Sequence, residues 1–285
     1  VWKDFAGGDG GDALDLVAQT LFGGDMRRAI EWSRAWLGLT DERPSVPARP
    51  APAAAKVEDD GGRFRTACAL RLFDNSHPRI ADTPVQAYLR SRGINIRELG
   101  RQPGTLRYHP ALNCVEAGRP LPAMLAAVTG PNGAFVALHR TWLQRTAEGW
   151  RKANLQAPKK TLGPLAGGAV HLWRGDSGKP LHQAAPGESV VVAEGIETGL
   201  SIAIACPERR VLAALSIGNM ASLVLPPAVA EVIIAADNDA PQSTATQALQ
   251  RAIDRFVTEG RTVRIARSPI GSDMNDALAA SEARA

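Results

Sequence analysis

Two apolar runs, each ending abruptly on acidic residues, dominate the second half of this 285-residue chain. Ser189-Val-Val-Val-Ala193 reads as a fully buried strand, and it gives way to Glu194-Gly-Ile-Glu197-Thr-Gly199 and an apolar, helix-like segment, Leu200–Ala205. Further on, Glu231-Val-Ile-Ile-Ala-Ala236 repeats the pattern and ends in Asp237-Asn-Asp239. Strands that alternate with helices build parallel sheets, and groups just past the carboxyl ends of those strands share one crevice. The pattern therefore predicts that Glu194, Asp237 and Asp239 meet. If strand geometry persists, Asp237 and Asp239 point the same way, because side chains alternate with a period of two.

Three carboxylates in one crevice repel each other and take up protons unless a cation neutralises them. Mg²⁺, or Mn²⁺ in its place, suits such a set, since hard divalent ions take carboxylate oxygens and complete their shells with water and substrate phosphates. Solvated loop carboxylates are the plain alternative. Either motif alone fits both readings equally, and the recurrence at two strand ends favours the metal.

Val192-Ala-Glu-Gly-Ile-Glu-Thr198, Ala236-Asp-Asn-Asp239 and Gly271-Ser-Asp-Met-Asn-Asp276 follow one another in an order that resembles the Toprim domain. The resemblance is to the version found in primases and primase–helicases of phages, plasmids and integrated elements, and it covers roughly the last hundred residues. It implies that Glu194 is the general acid/base or a metal ligand and that Asp237 and Asp239 hold Mg²⁺. It also tilts Asp273 and Asp276 toward metal support over helix capping. Glu197 stays open between an auxiliary ligand and an acid in the first turn of its helix. Asp239 is followed by Ala-Pro-Gln-Ser where relatives often continue toward a glycine, which puts a phosphate contact by that loop in doubt but leaves the acidic pair intact.

The remaining chain divides by composition. Residues 1–38 read as a helical remnant: Asp12 caps a helix over Ala13–Leu21, a second spans Asp25–Leu37, and Gly-Gly-Asp-Ala-Leu-Asp-Leu-Val resembles the tail of a primase zinc-binding domain. Residues 39–62 form a Pro/Ala-rich linker without periodicity. Residues 63–187 read as a basic mixed α/β subdomain. Within it lie a helix over Phe64–Asn75, another that starts at Thr83-Pro84, a short strand Leu106–His109 before Pro110, and a hairpin turning at Gly130-Pro-Asn-Gly133. A further strand covers Ala169–Trp173. Residues 188–285 carry the acidic motifs, with a strand Val211–Leu215, an amphipathic helix Thr244–Glu259 and a last strand Thr262–Ala266. The fold class expected is α/β: a four-stranded, mainly parallel Toprim sheet flanked by helices, preceded by the basic subdomain of a primase core.

Arg140, Lys152, Lys159, Lys160 and Arg174 fall in that basic region, interleaved with Tyr108, Trp142, Trp150 and Trp173, as single-stranded nucleic acid would require. A solvated basic face over core tryptophans accounts for the same composition. Net charge is only +4, and arginine far outnumbers lysine, which fits phosphate contact as well as a coding bias. Cys68, Cys114 and Cys206 are too scattered for a zinc ribbon or a disulfide framework, the five histidines lack ligand spacing, and no P-loop occurs. No signal peptide or membrane-length apolar run is visible, so a soluble, reducing, cytoplasmic setting is expected. The start at Val1 reads as the interior of a module. The activity expected is primer synthesis on a single-stranded DNA template from nucleoside triphosphates, with helicase activity supplied by another chain or region. A Toprim phosphodiesterase and a non-catalytic single-strand binder are the rivals.

Overall fold

The computed structural model describes residues 2–3, 10–37, 60–236 and 244–268. It divides into two units, Val1–Asp59 and Asp60–Ala285.

In the first unit, a short strand pair β1 (Trp2–Lys3) and β2 (Gly10–Gly11) precedes helices α1 (Ala13–Phe22) and α2 (Met26–Trp36). Asp12 starts α1 with a reciprocal capping box: its carboxylate accepts from Leu14 N at 2.8 Å and Asp15 N at 3.0 Å, and Asp15 accepts from Asp12 N at 2.8 Å. Gly23, at φ 61°, ends it.

The described residues of the second unit form two five-stranded sheets. One is antiparallel: β3 (Leu106–Cys114), β4 (Arg119–Thr129), β5 (Phe135–Thr146) and β6 (Gly149–Lys152) in order, with β7 (Lys159–Leu162) also paired to β5. The other has the order β12-β11-β9-β10-β8, from β8 (Val170–Arg174), β9 (Glu188–Ala193), β10 (Arg210–Ala213), β11 (Val229–Ala236) and β12 (Thr262–Arg267). Its last four strands in sequence are parallel, as expected, and β8 adds an antiparallel edge. A backbone bridge, Thr129 to Ala169, ties the two sheets together.

Strict alternation along β9 divides the core. Val191 and Ala193 face a cluster shared with Leu200 of α5 (Ile196–Ala205), Leu89 of α4 (Pro84–Arg90) and Met124 of the antiparallel sheet. Val190 and Val192 face the other way, onto Leu249 and Phe256 of α7 (Thr244–Thr258). The far face of the antiparallel sheet packs on Phe73 of α3 (Asp60–Asp74). Packing requires a glycine at Gly199, because a Cβ there would lie 2.5 Å from Leu172 Cδ1, where β8 runs under α5.

Several elements differ from the sequence expectation, among them α3, which begins at Asp60 inside the stretch expected as linker. The strand expected to stop before Pro110 continues to Cys114, with a register irregularity between His109 and Leu112, and such irregularities are where a strand tolerates proline. The strand expected to reach Leu215 ends at Ala213, because Leu215 takes φ 72°, outside the extended region. Strands β6 and β7 fall in stretches of mixed polarity without alternation, and they form by pairing with β5.

Candidate active site

Register places the ends of the parallel strands side by side. Ala193 is level with Ala213 on one side and Ala235 on the other, so Glu194 emerges beside the end of β11. Its carbonyl accepts a hydrogen bond from Leu215 N at 2.8 Å. Leu215 holds a left-handed conformation to do so, which costs a branched residue on the order of 1–3 kcal/mol. Asn219, in the short helix α6 (Ile217–Met220), braces the same corner: its side-chain amide donates to Ala214 O at 2.8 Å and to Gly168 O at 2.9 Å. Glu194 lines a small recess with Ala236, Thr246 and Arg267. Arg267 was not singled out from the sequence. It brings a cation to the same strand ends as Glu194, and only the register of β12 reveals it.

Asp237 is the residue after β11 in sequence, and it, Asp239, Asp273 and Asp276 lie outside the described residues. Among the described residues, no group of three or more His, Cys, Asp or Glu side chains could hold a metal ion. Glu194 is the one expected ligand that is described. A carboxylate at the end of a parallel strand suits an oxygen-seeking divalent cation. Gly195 caps α5 at φ −101° in ordinary extended backbone, and a Cβ there would meet nothing nearer than 3.5 Å, so the turn itself does not demand glycine.

One helical turn beyond Glu194, Glu197 is buried rather than turned to a cleft, and it makes no helix cap. Its Oε1 takes an ion pair from Lys152 Nζ at 2.8 Å and a short hydrogen bond from the Tyr88 hydroxyl. Burial raises the Glu197 pKa, but the Lys152 charge and the two hydrogen bonds outweigh it and leave the carboxyl at about 2. Burial, the Glu197 charge and the shared hydrogen bond push the Tyr88 hydroxyl far above its ordinary value. Tyr88 is thus a buried hydrogen-bond donor to Glu197. His139 completes the cluster, with Nδ1 3.1 Å from Thr161 Oγ1. Burial chiefly, with the Lys159 charge, brings its pKa down to about 4 against a partial pull upward from Glu197. No sequence spacing signalled this cluster, because its members come from α4, β5, β6 and α5.

The expected basic residues separate by strand face. On β5, Ala137 and Leu143 enter the core shared with α5, whereas Leu138 and Trp142 enter the core under α3. His139 and Thr141 therefore share the first face, and Arg140 lies on the second. Cross-strand pairing carries this to β7: Lys159 is opposite Thr141, and Lys160 is opposite Arg140. Lys152 and Lys159 thus belong to the face of Glu197. Lys160 lies on the far face, 3.8 Å from Glu116. The Arg140 guanidinium sits 5.1 Å over the buried Trp142 ring. Arg174 belongs to neither group, being at the end of β8 next to the amino end of β10.

Residues 189–283 match the family model described as the Toprim domain, and residues 63–172 match a domain of unknown function, DUF7146. The carboxyl-terminal part of the chain is a Toprim domain. Among solved structures, the primase fragment of the bacteriophage T7 primase-helicase protein is 16% identical, with 74% of each chain covered and a TM-score of 0.46. A DNA primase domain from Pseudomonas aeruginosa is 14% identical, covering 76% of this chain and 74% of that one at 0.48. The Aquifex aeolicus primase, comprising zinc-binding and RNA polymerase domains, is 16% identical, covering 99% and 71% at 0.48. No curated protein matches the chain. No helix among the described residues is long and apolar enough to cross a membrane.

Proposed function

We propose that this chain is a metal-dependent DNA primase, a nucleotidyltransferase that makes short RNA primers on single-stranded DNA from nucleoside triphosphates. It would serve replication of a phage or mobile element, beside a helicase carried elsewhere. The observation that carries the reading is the position of Glu194 in a Toprim domain, level with the end of the strand that leads into Asp237-Asn-Asp239. Glu194, Asp237 and Asp239 would hold Mg²⁺ or Mn²⁺, with Asp273 and Asp276 in support. The ion would activate the attacking 3′-hydroxyl and neutralise the leaving pyrophosphate. Glu194 would accept or relay the proton of that hydroxyl. Lys152 and Lys159 supply cations on the face of the antiparallel sheet that meets α5, where template or triphosphate would be gripped. Glu197 and Tyr88 hold Lys152 in place, since a buried carboxylate at 2.8 Å restricts an otherwise flexible ammonium.

The test is incubation with single-stranded templates, labelled ribonucleotides and Mg²⁺ or Mn²⁺. New template-dependent oligonucleotides that vanish in Asp237→Asn support the proposal. Shortened templates would make the chain a phosphodiesterase, and binding without turnover would make it an accessory protein.

A further inference from the structure

A groove of about 600 Å³ opens between the two sheets, on the side away from Glu194. Its wall is β8, whose Arg174 pairs with Arg210 at the amino end of β10, whereas Glu194 lies past the opposite, carboxyl ends. The size is within the range of small-molecule sites. Its lining combines two chemistries. Trp173 and Phe135 supply aromatic surface, and Arg101, Arg174, His171 and His182 supply cations or hydrogen-bonding rings, against one acid, Asp74.

The arrangement of these groups is specific. The Arg101 guanidinium lies 4.7 Å over the Trp173 ring, and that ring is fixed by its own indole N–H, which donates to Pro207 O at 2.7 Å. A guanidinium seated over an aromatic ring leaves its outer side for a further planar group. Arg174 is exposed and donates from Nη1 to Gly178 O at 3.2 Å, a contact that occupies one of its five N–H groups. The ring of His171 has no hydrogen-bond partner among the described residues and reaches the groove. Burial, then the charges of Arg210, Arg174 and His182, lowers its pKa to about 4, so the wall keeps a neutral imidazole in a positive field. A bare anion would not use the aromatic wall, and an uncharged ring would not use the arginines.

We propose that this groove binds a nucleotide, its base against the Arg101–Trp173 stack and its phosphate toward Arg174 and His182. The nucleotide is either a free nucleoside phosphate or one unit of a single strand. The assignment stands on the groove alone and does not depend on primer synthesis.

The test measures binding without turnover, in EDTA, of ATP and of a fluorescent oligothymidylate. The proteins are the wild type, the Arg101→Glu/Arg174→Glu double variant and Glu194→Gln. Both arginines are exposed, so the double variant should fold, and circular dichroism checks it. At least one probe should bind the wild type, weaken at least tenfold in the double variant and bind Glu194→Gln normally. Loss for ATP identifies the free nucleotide, and loss for the oligonucleotide alone identifies the strand. Independently of any variant, a photoreactive azido-ATP or a halogenated oligonucleotide should crosslink to the segment 171–182. The proposal is overturned by any of three results: no probe binds the wild type, both bind the double variant as well as the wild type, or inorganic tripolyphosphate displaces the probe as effectively as the nucleotide does.

Discussion

Glu194 and Glu197 stand one helical turn apart and play different parts. Glu194 sits at the strand ends with its carbonyl anchored by Leu215, whereas Glu197 is committed to Lys152 and Tyr88. Glu194→Gln retains size but removes the charge and the titratable proton. A general acid/base loses roughly 10²-fold or more in rate on such a change. We expect that loss in primer synthesis, with single-strand affinity unchanged. Titration with Mg²⁺ or Mn²⁺ separates the two roles: full rescue at high metal means Glu194 was only a ligand, and persistent loss means it moves a proton. The two lysines of β7 make a second test at this scale. Lys159 shares the face of His139 and Glu197, while Lys160 lies behind it near Glu116. Lys159→Glu should weaken template or triphosphate binding strongly and flatten its salt dependence, since each phosphate neutralised adds about 0.7 to the single-strand salt slope. Lys160→Glu should change little. Equal effects of the two variants on affinity would remove the face assignment.

Among the elements, α5 depends on Gly199 for its approach to the sheet. A methyl group there would press into Leu172, buried beneath the helix. Overpacking a core costs about 1–3 kcal/mol, which exceeds the ~1 kcal/mol that alanine gains over glycine in a helix. Gly199→Ala should therefore lower the melting temperature, and by shifting α5 it should lower the rate more than binding. A variant as stable as the wild type would show that Leu172 yields freely. The parallel strands, the place of Glu194 just past the end of β9, the capped helices and the Gly130–Gly133 turn were all legible in the sequence, because each depends on local periodicity or on one residue's backbone preference. The Glu197–Lys152–Tyr88 cluster was not, because pairings between residues as far apart as 88 and 197 leave no mark in local spacing. Nor did adjacency in sequence reveal that Lys159 and Lys160 face opposite ways, since the strand that separates them forms only by pairing with β5. Leu215 was read as strand because its apolar character fits one. Its φ is set by the turn that brings its N–H to Glu194.

At the scale of the whole molecule, the shared core sets a response to acid. His139 and His171 are both held largely neutral, chiefly by burial, with pKa values of about 4 against an ordinary 6.5. As the pH falls below 6.5 the unfolded chain takes up protons that the folded chain refuses, so stability is lost from there down to about pH 4. Glu197 adds a second, lower stage. Its carboxyl lies at about 2 in the fold against 4.5 ordinarily, so its contribution is complete above pH 4.5 and is lost between there and pH 2. At about 1.4 kcal/mol per pKa unit, each of the three groups accounts for on the order of 3 kcal/mol, a sizeable share of a domain's stability. Thermal unfolding followed from pH 7.5 to 5 should show a falling melting temperature in the wild type. His139→Gln and His171→Gln, which cannot titrate, should each reduce that slope, and the double variant should leave only the smaller part due to His109, whose pKa burial also lowers, even if its absolute stability is lower. Glu197→Gln should leave the slope above pH 5 unchanged and alter only the more acidic limb. A wild-type melting temperature that is flat from pH 7.5 to 5, or a double variant that falls as steeply, would show that the two histidines accept protons without disturbing the fold.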